Sequence, residues 1–462
     1  MKLTRRAFTQ TVLNAGATLP AFSSGKRPNI LFILTDDQRF DGLGCAGNTS
    51  IQTPNIDKLA KEGIFFRNSF VTTAICCCSR ATALTGQYMR RHGVEGFDTP
   101  LSESQFSNTY MAQLRKAGYR TALLGKYAIG NPTKHPGLAL PKDQFDFWYG
   151  FPQSINFLQR VDDKPKYLTS LMVEKAEGFL RSLEQDNPFC MALHFKEPHG
   201  PWNFFDPDRP DTYKAAVVKK PTTQTRADYE AQPDFIRKSL NGLDKEAWDE
   251  DTDAHFAKDA RTCYHLVSGV DVAVGKVMKV LKELGRDENT MVIFTSDNGN
   301  LQGEHGLQGK WIMYEESIRV PLIIRDPRLP AKLRGGVRDQ MALNIDLAPT
   351  MLRMAGVPVP GVMQGRDLGP VLQNARQPWR EDWFYEHTYK TVAPRRSIAS
   401  SEGVRTTKWK YIRYTDQTPV FEQLFDLVSD PTERNNLALL PAHLKTLQKL
   451  RKRCASLRTE AA

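Results

Sequence analysis

Acidic and amide side chains follow two short apolar runs in this sequence. Asp36 and Asp37 come directly after the run Ile30–Leu34, and Asp297 and Asn298 end the stretch "NTMVIFTSDN". A short continuous apolar run is typical of a strand that is buried on both faces. Each polar pair on its own is also typical of a turn or a helix cap. Together the two pairs supply hard oxygen ligands, which suit Ca²⁺ or Mg²⁺ rather than a thiophilic metal.

The stretch "AICCCSRATALTG" places three cysteines in a row, Cys76, Cys77 and Cys78, before Arg80. Adjacent cysteines are poor disulfide partners, and they lack the spacing of a zinc site. Cys76 precedes a predicted helix, whose free N–H groups and positive dipole end favour an anion. Arg80 follows four residues later, so it lies one turn above the same face. An activated group at position 76 would therefore meet a metal, an arginine and a helix dipole, which is an arrangement for an oxyanion ester.

Three further polar residues, Lys126, His199 and Lys310, stand after or near other predicted strand ends. Such side chains can neutralise a tetrahedral anion or protonate a leaving oxygen. A structural role is the alternative for each of them: a surface salt bridge for the lysines and a hydrogen-bonded loop residue for the histidine.

The composition is that of a globular protein with a modest positive charge. The chain has 462 residues, 40% of them hydrophobic and 25% charged, with a formal net charge of +11. The positive excess suits an anionic partner such as a sulfated or carboxylated glycan, although charge that serves solubility is the plainer explanation. The basic residues are scattered and no nucleic-acid-binding motif is present, so we expect no nucleic-acid partner. Seven cysteines in so long a chain exclude a disulfide scaffold.

The N-terminal residues 1–25 contain paired arginines, Arg5 and Arg6, then Phe8 and a mildly apolar run without acidic residues. This pattern resembles a twin-arginine export signal. The run is too short and too weakly apolar to span a membrane, and no other stretch reaches that length. The sequence therefore predicts a bacterial protein exported to the periplasm or beyond, without stable membrane insertion.

Strand and helix patterns alternate along most of the chain, which predicts an α/β fold around a large, mostly parallel sheet flanked by helices. Ligands gather at the carboxyl ends of the strands in such sheets. A helix is expected from Ala81 to Arg91, and residues 203–258 are expected to form a long insertion near the active face. We predict a catalytic domain over residues 26–374 and a smaller C-terminal subdomain with an antiparallel sheet over residues 375–462.

Several motifs together resemble those of the sulfatase family. "CCCSRATALTG" is similar to the signature C-x-P-S-R-x-x-x-L-T-G, and "PNILFILTDDQR" is similar to the family's first metal motif. "EPHGPW" resembles its histidine motif, and "TSDNG" followed by "EHGLQGKWIMYEESIRVPLII" resembles its second metal and lysine motif. The motifs occur in the family's order from about residue 27 to residue 440. The resemblance implies the alkaline-phosphatase-like fold and a formylglycine-dependent sulfatase.

In this family the first cysteine of the signature is oxidised to formylglycine by a maturation enzyme, and the resemblance carries this onto Cys76. One hydroxyl of the hydrated aldehyde attacks the sulfate sulfur, and the other drives release of sulfate. The resemblance further implies that Ca²⁺, or Mg²⁺, is bound beside residue 76, that an arginine holds the formylglycine, that two lysines bind sulfate, and that a histidine acts as general acid or sulfate ligand. The resemblance assigns the metal to Asp36, Asp37, Asp297 and Asn298. It assigns the formylglycine contact to Arg80, sulfate binding to Lys126 and Lys310, and the role of general acid or sulfate ligand to His199.

The sequence departs from the family pattern at two positions. Cys78 stands where the signature usually has proline or alanine, at a position that the maturation enzyme reads. Ala128, in "GKYAIG", stands where the family usually has a histidine that assists sulfate release. Two alternatives to a sulfatase therefore stay open: a phosphodiester or phosphonate hydrolase of the same superfamily, and a weakly active homologue that binds sulfated glycans.

The expected substrate is a sulfated carbohydrate or polysaccharide, because the C-terminal region from residue 384 to residue 414 looks most like that of glycan sulfatases. His387, Arg395 and Arg396 are predicted to reach the sugar from this subdomain. The alternative for these three residues is charge on an exposed loop.

Overall fold

The computed structural model describes residues 26–131, 140–153, 155–206, 209–243, 252–389 and 397–462. The predicted signal segment, residues 1–25, therefore lies outside the described residues. The strands in chain order are β1 (Asn29–Asp36), β2 (Ile64–Phe66), β3 (Ser69–Phe70), β4 (Arg120–Lys126), β5 (Phe147–Phe151), β6 (Leu158–Val161), β7 (Lys164–Tyr167), β8 (Phe189–Pro198), β9 (Thr290–Ser296), β10 (Leu301–Gln302), β11 (Gln308–Gly309), β12 (Leu322–Arg325), β13 (Gly336–Arg338), β14 (Ala342–Leu343), β15 (Asp382–His387), β16 (Ser401–Thr406), β17 (Trp409–Tyr414) and β18 (Phe421–Asp426).

The helices flank this framework or connect its strands. In chain order they are α1 (Pro54–Glu62), α2 (Cys76–Thr85), α3 (Met89–His92), α4 (Glu103–Ser107), α5 (Tyr110–Lys116), α6 (Leu168–Arg181), α7 (Arg226–Glu230), α8 (Asp234–Arg237), α9 (Thr252–Glu283), α10 (Glu315–Ile318), α11 (Leu347–Met354), α12 (Gly369–Gln373) and α13 (Leu444–Glu460). Among the described residues, no helix is both long and apolar enough to cross a membrane.

The large sheet has eight strands in the order β13-β2-β12-β9-β1-β8-β4-β5. Strand β12 is antiparallel to both of its neighbours, and the other pairings in this sheet are parallel. The predicted α/β class with a mostly parallel sheet is confirmed.

Two apolar cores cover the two faces of this sheet. Along β1, Ile30, Phe32 and Leu34 enter one core, and Leu31 and Ile33 enter the other. Side chains alternate between the faces of a strand, so a strand with a core on each side must be apolar at every position. This arrangement explains why the sequence shows a continuous apolar run there instead of an alternating pattern.

The helix expected from Ala81 to Arg91 differs in the structure. Helix α2 begins earlier, at Cys76, and ends at Gly86, whose φ of 66° is left-handed. A second short helix, α3, then ends at Gly93. Glycine reaches the left-handed conformation without a Cβ clash and so ends helices readily. Cys76 is consequently the first residue of its helix and does not precede it.

The C-terminal part of the chain forms the predicted antiparallel sheet, with four strands in the order β15-β16-β17-β18. Helix α13 packs on this sheet through Leu447, Leu450 and Cys454. The opposite face of the sheet packs through Trp383 and Tyr385 into a core shared with the loops of the large sheet. The domain boundaries at residues 25 and 374 stay predictions.

Candidate functional site

Four neighbouring strands of the large sheet end at one place. Strands β9, β1, β8 and β4 lie side by side and parallel, so their carboxyl ends form one edge of the sheet. Strand β1 ends in Asp36, β4 ends in Lys126, and β8 leads into His199. Strand β9 leads into Asp297 and Asn298. The topology thus gathers residues that are up to 262 positions apart in the sequence, from Asp36 to Asn298.

Cys76 lies at the centre of this edge. Its Sγ is 3.3 Å from Asp36 Oδ1 and 3.0 Å from Lys310 Nζ. Lys126 Nζ donates to the other oxygen of the same carboxylate, Asp36 Oδ2, at 2.5 Å. Cys76 is also the first residue of α2, whose unpaired backbone N–H groups make this end of the helix favourable for an anion. A group formed at position 76 therefore touches a carboxylate and an ammonium group at once.

Arg80 is held by the elements around it. Its Nε donates to Asp297 Oδ2 at 2.8 Å, and its Nη1 donates to the Lys126 carbonyl oxygen at 2.6 Å. Its side chain is 1% exposed, and that of Asp297 is fully buried. Because one guanidinium joins α2, β4 and the residue after β9, it fixes the relative positions of the elements that carry the site.

Asp37 accepts hydrogen bonds from several side chains near Cys76. Its backbone has a left-handed φ of 67°, which is uncommon for a residue other than glycine. Lys310 Nζ and Asn298 Nδ2 both donate to Asp37 Oδ1, the latter at 2.6 Å. Asn300 Nδ2 donates to Asp37 Oδ2 at 3.1 Å, and His199 Nε2 lies 3.6 Å from the same oxygen.

The surrounding charges set the protonation states of the site. Burial alone would raise the pKa of Asp36, but the nearby cations, Lys126 first among them, hold it well below its usual range. Burial would lower the pKa of Lys310, and Asp37 reverses this and raises it well above its usual value. Burial and the negative charge of Asp36 raise the pKa of the Cys76 thiol. At neutral pH Asp36 is therefore ionised, Lys310 carries its positive charge and the Cys76 thiol is neutral, whereas burial and the charge of Asp36 raise the pKa of Asp297.

The donor set fits a hard divalent cation. Ligand atoms of Asp36, Asp37, Cys76 and His199 all lie within 4.8 Å of one another. Among the described residues, Asn298 Oδ1 is buried and accepts no hydrogen bond, so one neutral oxygen remains free to bind an ion. Carboxylate and amide oxygens are the ligands that Ca²⁺ and Mg²⁺ prefer. Asp297 is not part of the four-residue group, because its two oxygens face the Asp37 N–H and Arg80.

Two residues of the site, Asn300 and His194, were not predicted from the sequence. Asn300 directly follows "SDNG" and its side chain donates to Asp37, so extending the motif by one residue would have found it. His194 lies inside β8 and approaches the Lys126 carbonyl oxygen through Nδ1 at 3.1 Å. Burial and the charge of Arg80 lower the pKa of His194 to about 3. A histidine within an apolar strand gives no hint of that contact.

The structure describes only His387 of the three residues that were predicted to bind sugar. His387 is the last residue of β15 and is fully buried, which lowers its pKa to about 4. Burial places it beneath the surface and not on the exposed loop that was the alternative interpretation. Arg395 and Arg396 lie outside the described residues. For His387, Arg395 and Arg396 alike, contact with substrate stays a prediction.

A cavity of about 560 Å³ lies at the edge of the sheet formed by the carboxyl ends of β9, β1, β8 and β4, which we call the catalytic edge because it carries the candidate catalytic residues. Asp37, His199 and Lys310 line its base. Residues of the predicted insertion, among them Gln224 and Phe256, line its walls. The insertion predicted over residues 203–258 therefore does approach the candidate site.

Comparison with known proteins identifies the family. The model of the sulfatase family matches residues 28–357, and the model described as N-sulphoglucosamine sulphohydrolase, C-terminal, matches residues 303–460. An N-acetylglucosamine-6-O-sulfatase of Bacteroides thetaiotaomicron is 30% identical over 92% of this chain and 85% of its own length. An ulvan-active sulfatase of Formosa agariphila is 29% identical over 94% of this chain and 82% of its own length.

Solved structures agree with this assignment. The structure of BT4656 in complex with its substrate D-glucosamine-2-N,6-O-disulfate has a TM-score of 0.81 and 28% identity, covering 94% of this chain and 98% of that one. A phosphonate monoester hydrolase of Agrobacterium radiobacter has a TM-score of 0.79 at 23% identity, covering 94% of this chain and 96% of that one, a likeness of fold alone. The matched family model covers most of the chain, and with these relatives it establishes that this protein belongs to the sulfatase family of sulfuric ester hydrolases, within the alkaline-phosphatase-like superfamily.

Proposed function

We propose that this sulfatase removes sulfate from a sulfated carbohydrate and uses a formylglycine made from Cys76. One observation carries the proposal: Cys76 Sγ lies between Asp36 Oδ1 at 3.3 Å and Lys310 Nζ at 3.0 Å, at the first residue of a helix. A nucleophile at this point meets an anion-binding helix end and a cation that can hold a sulfate oxygen. The hydrated formylglycine supplies the attacking hydroxyl group, which the neutral thiol of Cys76 does not.

The residues that would hold Ca²⁺, or Mg²⁺ in its place, are Asp36, Asp37, Asp297 and Asn298. Asp297 would bind through the second lone pair of an oxygen that already accepts a hydrogen bond. A bound divalent cation supplies Lewis-acid polarisation of the sulfate oxygens and stabilises an ionised hydroxyl at position 76. The free Oδ1 of Asn298 and the cluster of ligand atoms around Asp37 support this assignment. Arg80 keeps Asp297 oriented through its 2.8 Å contact.

Charge balance explains how the site accepts a sulfate ester. Without the ion, three carboxylates face three cationic side chains, namely Asp36, Asp37 and Asp297 against Arg80, Lys126 and Lys310. These formal charges cancel, so a divalent cation leaves the site with a net positive charge that favours an anionic substrate. Lys126 and Lys310 are buried, and their ammonium groups stabilise negative charge better here than in water.

His199 is placed to move a proton. Its Nδ1 lies 2.7 Å from the Gly200 carbonyl oxygen, and a carbonyl can only accept, so Nδ1 carries a proton. Nε2 therefore remains free to donate to the leaving oxygen when the ring is protonated, beside the carboxylate of Asp37. The ring is partly exposed and lines the cavity, where the leaving alcohol would depart.

We also propose a sulfated glycan as substrate and export of the protein from the cytoplasm. Relatives are named for N-acetylglucosamine 6-O-sulfate and for ulvan, and the structural neighbour BT4656 is described with a disulfated glucosamine. These names support a sulfated glycan as the substrate of this chain. The paired arginines near the N-terminus support export to the periplasm or beyond, and the cysteine signature supports recognition by a formylglycine-generating enzyme.

Mass spectrometry of the peptide that contains Cys76, after coexpression with a formylglycine-generating enzyme, tests the proposal directly. We expect the mass of formylglycine at position 76, and a fall in sulfate release of about 10³-fold or more in the Cys76→Ala variant. The matched control is Cys77→Ser, which changes the neighbouring cysteine and keeps Cys76. An unmodified thiol in an active enzyme, or rapid hydrolysis of phosphodiesters without hydrolysis of sulfate esters, would refute the proposal.

A further inference from the structure

The cavity next to the catalytic edge combines an aromatic surface with amide groups. Trp311 follows Lys310 directly in the sequence, and both residues line the cavity. Gln224 and Asn300 also line it, from the insertion and from the loop after β9. A ligand whose sulfate group lies against Lys310 therefore occupies a cavity that the indole ring and these two amide side chains also line.

The backbone holds Trp311 in an unusual conformation. Its φ is 82°, in the left-handed region that a bulky residue rarely adopts because the backbone is strained there. The backbone N–H of Trp311 donates to the Ala74 carbonyl oxygen at 3.1 Å, and the Tyr385 hydroxyl donates to the Trp311 carbonyl oxygen at 2.7 Å. Ala74 is two residues before Cys76, so the position of the indole ring is tied to the position of the nucleophile.

Close packing at Gly309 also fixes the ring. A Cβ atom at Gly309 would lie 2.8 Å from Trp311 Cζ3, and the φ of Gly309 is +77°, so no other residue fits there without a shift. The indole packs on the apolar core with one part and remains partly exposed in the cavity with another. A strained, fixed and partly exposed tryptophan beside reacting groups presents a rigid flat surface to a ligand.

Two hydrogen-bond acceptors in the same cavity have no partner among the described residues. They are Gln224 Oε1 and Asn300 Oδ1. Gln224 is 5% exposed and Asn300 is 6% exposed, so both side chains are more than nine-tenths buried. A buried acceptor without a donor is costly, and a ligand that supplies O–H or N–H groups removes this cost.

We propose that Trp311, Gln224 and Asn300 form the sugar-recognition wall of this enzyme and select a hydroxylated pyranose sulfate over an aryl sulfate. This inference rests on the proposed function and names the substrate class of the same site. A pyranose ring has an apolar C–H face, which packs on the indole, and a rim of hydroxyl groups, which donate to the two amide oxygens. An aryl group offers the flat face without the rim, so it satisfies only the tryptophan.

The test compares two substrates, N-acetylglucosamine 6-sulfate and 4-nitrophenyl sulfate, on the mature enzyme. Gln224→Met, of similar size, lowers kcat/KM for the sugar sulfate about tenfold and leaves the aryl sulfate unchanged. Trp311→Ala lowers kcat/KM about tenfold for both substrates, because both present a ring face. The matched control is Gln340→Met: Gln340 Oε1 is also buried without a partner among the described residues, but Gln340 does not line the cavity.

The outcomes separate this inference from the proposed function. If the wild type hydrolyses the aryl sulfate but not the sugar sulfate, or if Gln224→Met affects both substrates alike or neither, the wall does not select sugars. If the wild type hydrolyses neither substrate, the proposed function fails, and calorimetric binding of the sugar sulfate then decides the inference. An affinity about tenfold weaker in Gln224→Met than in Gln340→Met supports it, and equal affinities overturn it.

Discussion

The buried ion pair between Arg80 and Asp297 allows a quantitative test of how the site is held together. Both side chains are almost fully buried, and the Arg80 Nε to Asp297 Oδ2 distance is 2.8 Å. Arg80→Met keeps most of the side-chain volume but leaves the Asp297 carboxylate without its cation. Burial and the charge of Asp36 already raise the pKa of Asp297, so losing the guanidinium adds to an existing penalty. Removing one partner of a buried pair costs about 3–5 kcal/mol.

A double-mutant cycle measures that pair directly. We expect Arg80→Met to lower the free energy of unfolding by about 3 kcal/mol or more, and the added Asp297→Asn change to recover about 2 kcal/mol of the loss. The recovery is incomplete because the bond from Arg80 Nη1 to the Lys126 carbonyl oxygen is lost in both variants. Urea unfolding at pH 7 with EDTA gives the four free energies without a bound metal ion. Losses that simply add in the double variant would refute the reasoning, since they would show that the two charges do not depend on each other.

Changes at four other positions act on stability, metal binding or maturation. Gly125→Ala destabilises the fold by about 3 kcal/mol, because its Cβ would lie 1.9 Å from the His194 carbonyl oxygen, and urea unfolding measures this. Burial lowers the pKa of His92 from 6.5 to about 3, so the unfolded chain binds the proton first and stability falls as pH drops below about 6.5. His92→Gln therefore flattens the dependence of the melting temperature on pH between 6.5 and 4. Calcium at about 100 times its Kd raises the free energy of unfolding by about 2.7 kcal/mol, and Asp37→Asn removes this effect in melts with and without EDTA. Cys78→Ala increases the fraction of formylglycine at position 76 in mass spectra, since alanine is usual at that place in the signature.

Gly178 lies in α6, and an added Cβ there would meet nothing within 4 Å, so Gly178→Ala should stabilise by about 0.5–1 kcal/mol; a similar loss at both glycines would contradict the clash at Gly125. His443→Gln is the control for pH, and an unchanged slope in His92→Gln would argue against that residue. Calcium stabilisation that persists in Asp37→Asn would place the ion elsewhere. An equal formylglycine fraction with alanine at position 78 would show that Cys78 does not limit maturation.

Sequence patterns predicted much of this protein because its strands are buried on both faces. The run Ile30–Leu34 had to be a central strand, since apolar residues at every position suit a strand between two cores. The polar residues after such strands could be expected at one edge of the sheet, because parallel strands share their carboxyl ends. Helix boundaries were less certain: Gly86 and Gly93 are both left-handed caps, and nothing in the local pattern showed that the chain would form two helices, α2 and α3, where one was predicted.

The sequence by itself determined the α/β class, the family and the residues able to do the chemistry, because hydrophobic pattern and motif spacing are local properties of the chain. Only the tertiary structure decided which of those residues meet. It brought Lys310 to Cys76 Sγ and joined Arg80 to Asp297, and these contacts depend on strand order across the sheet, which sequence spacing does not encode. It also buried His387 and placed Gln224 and Trp311 in the lining of one cavity, because the packing of distant segments, and not their own composition, sets which surfaces remain open.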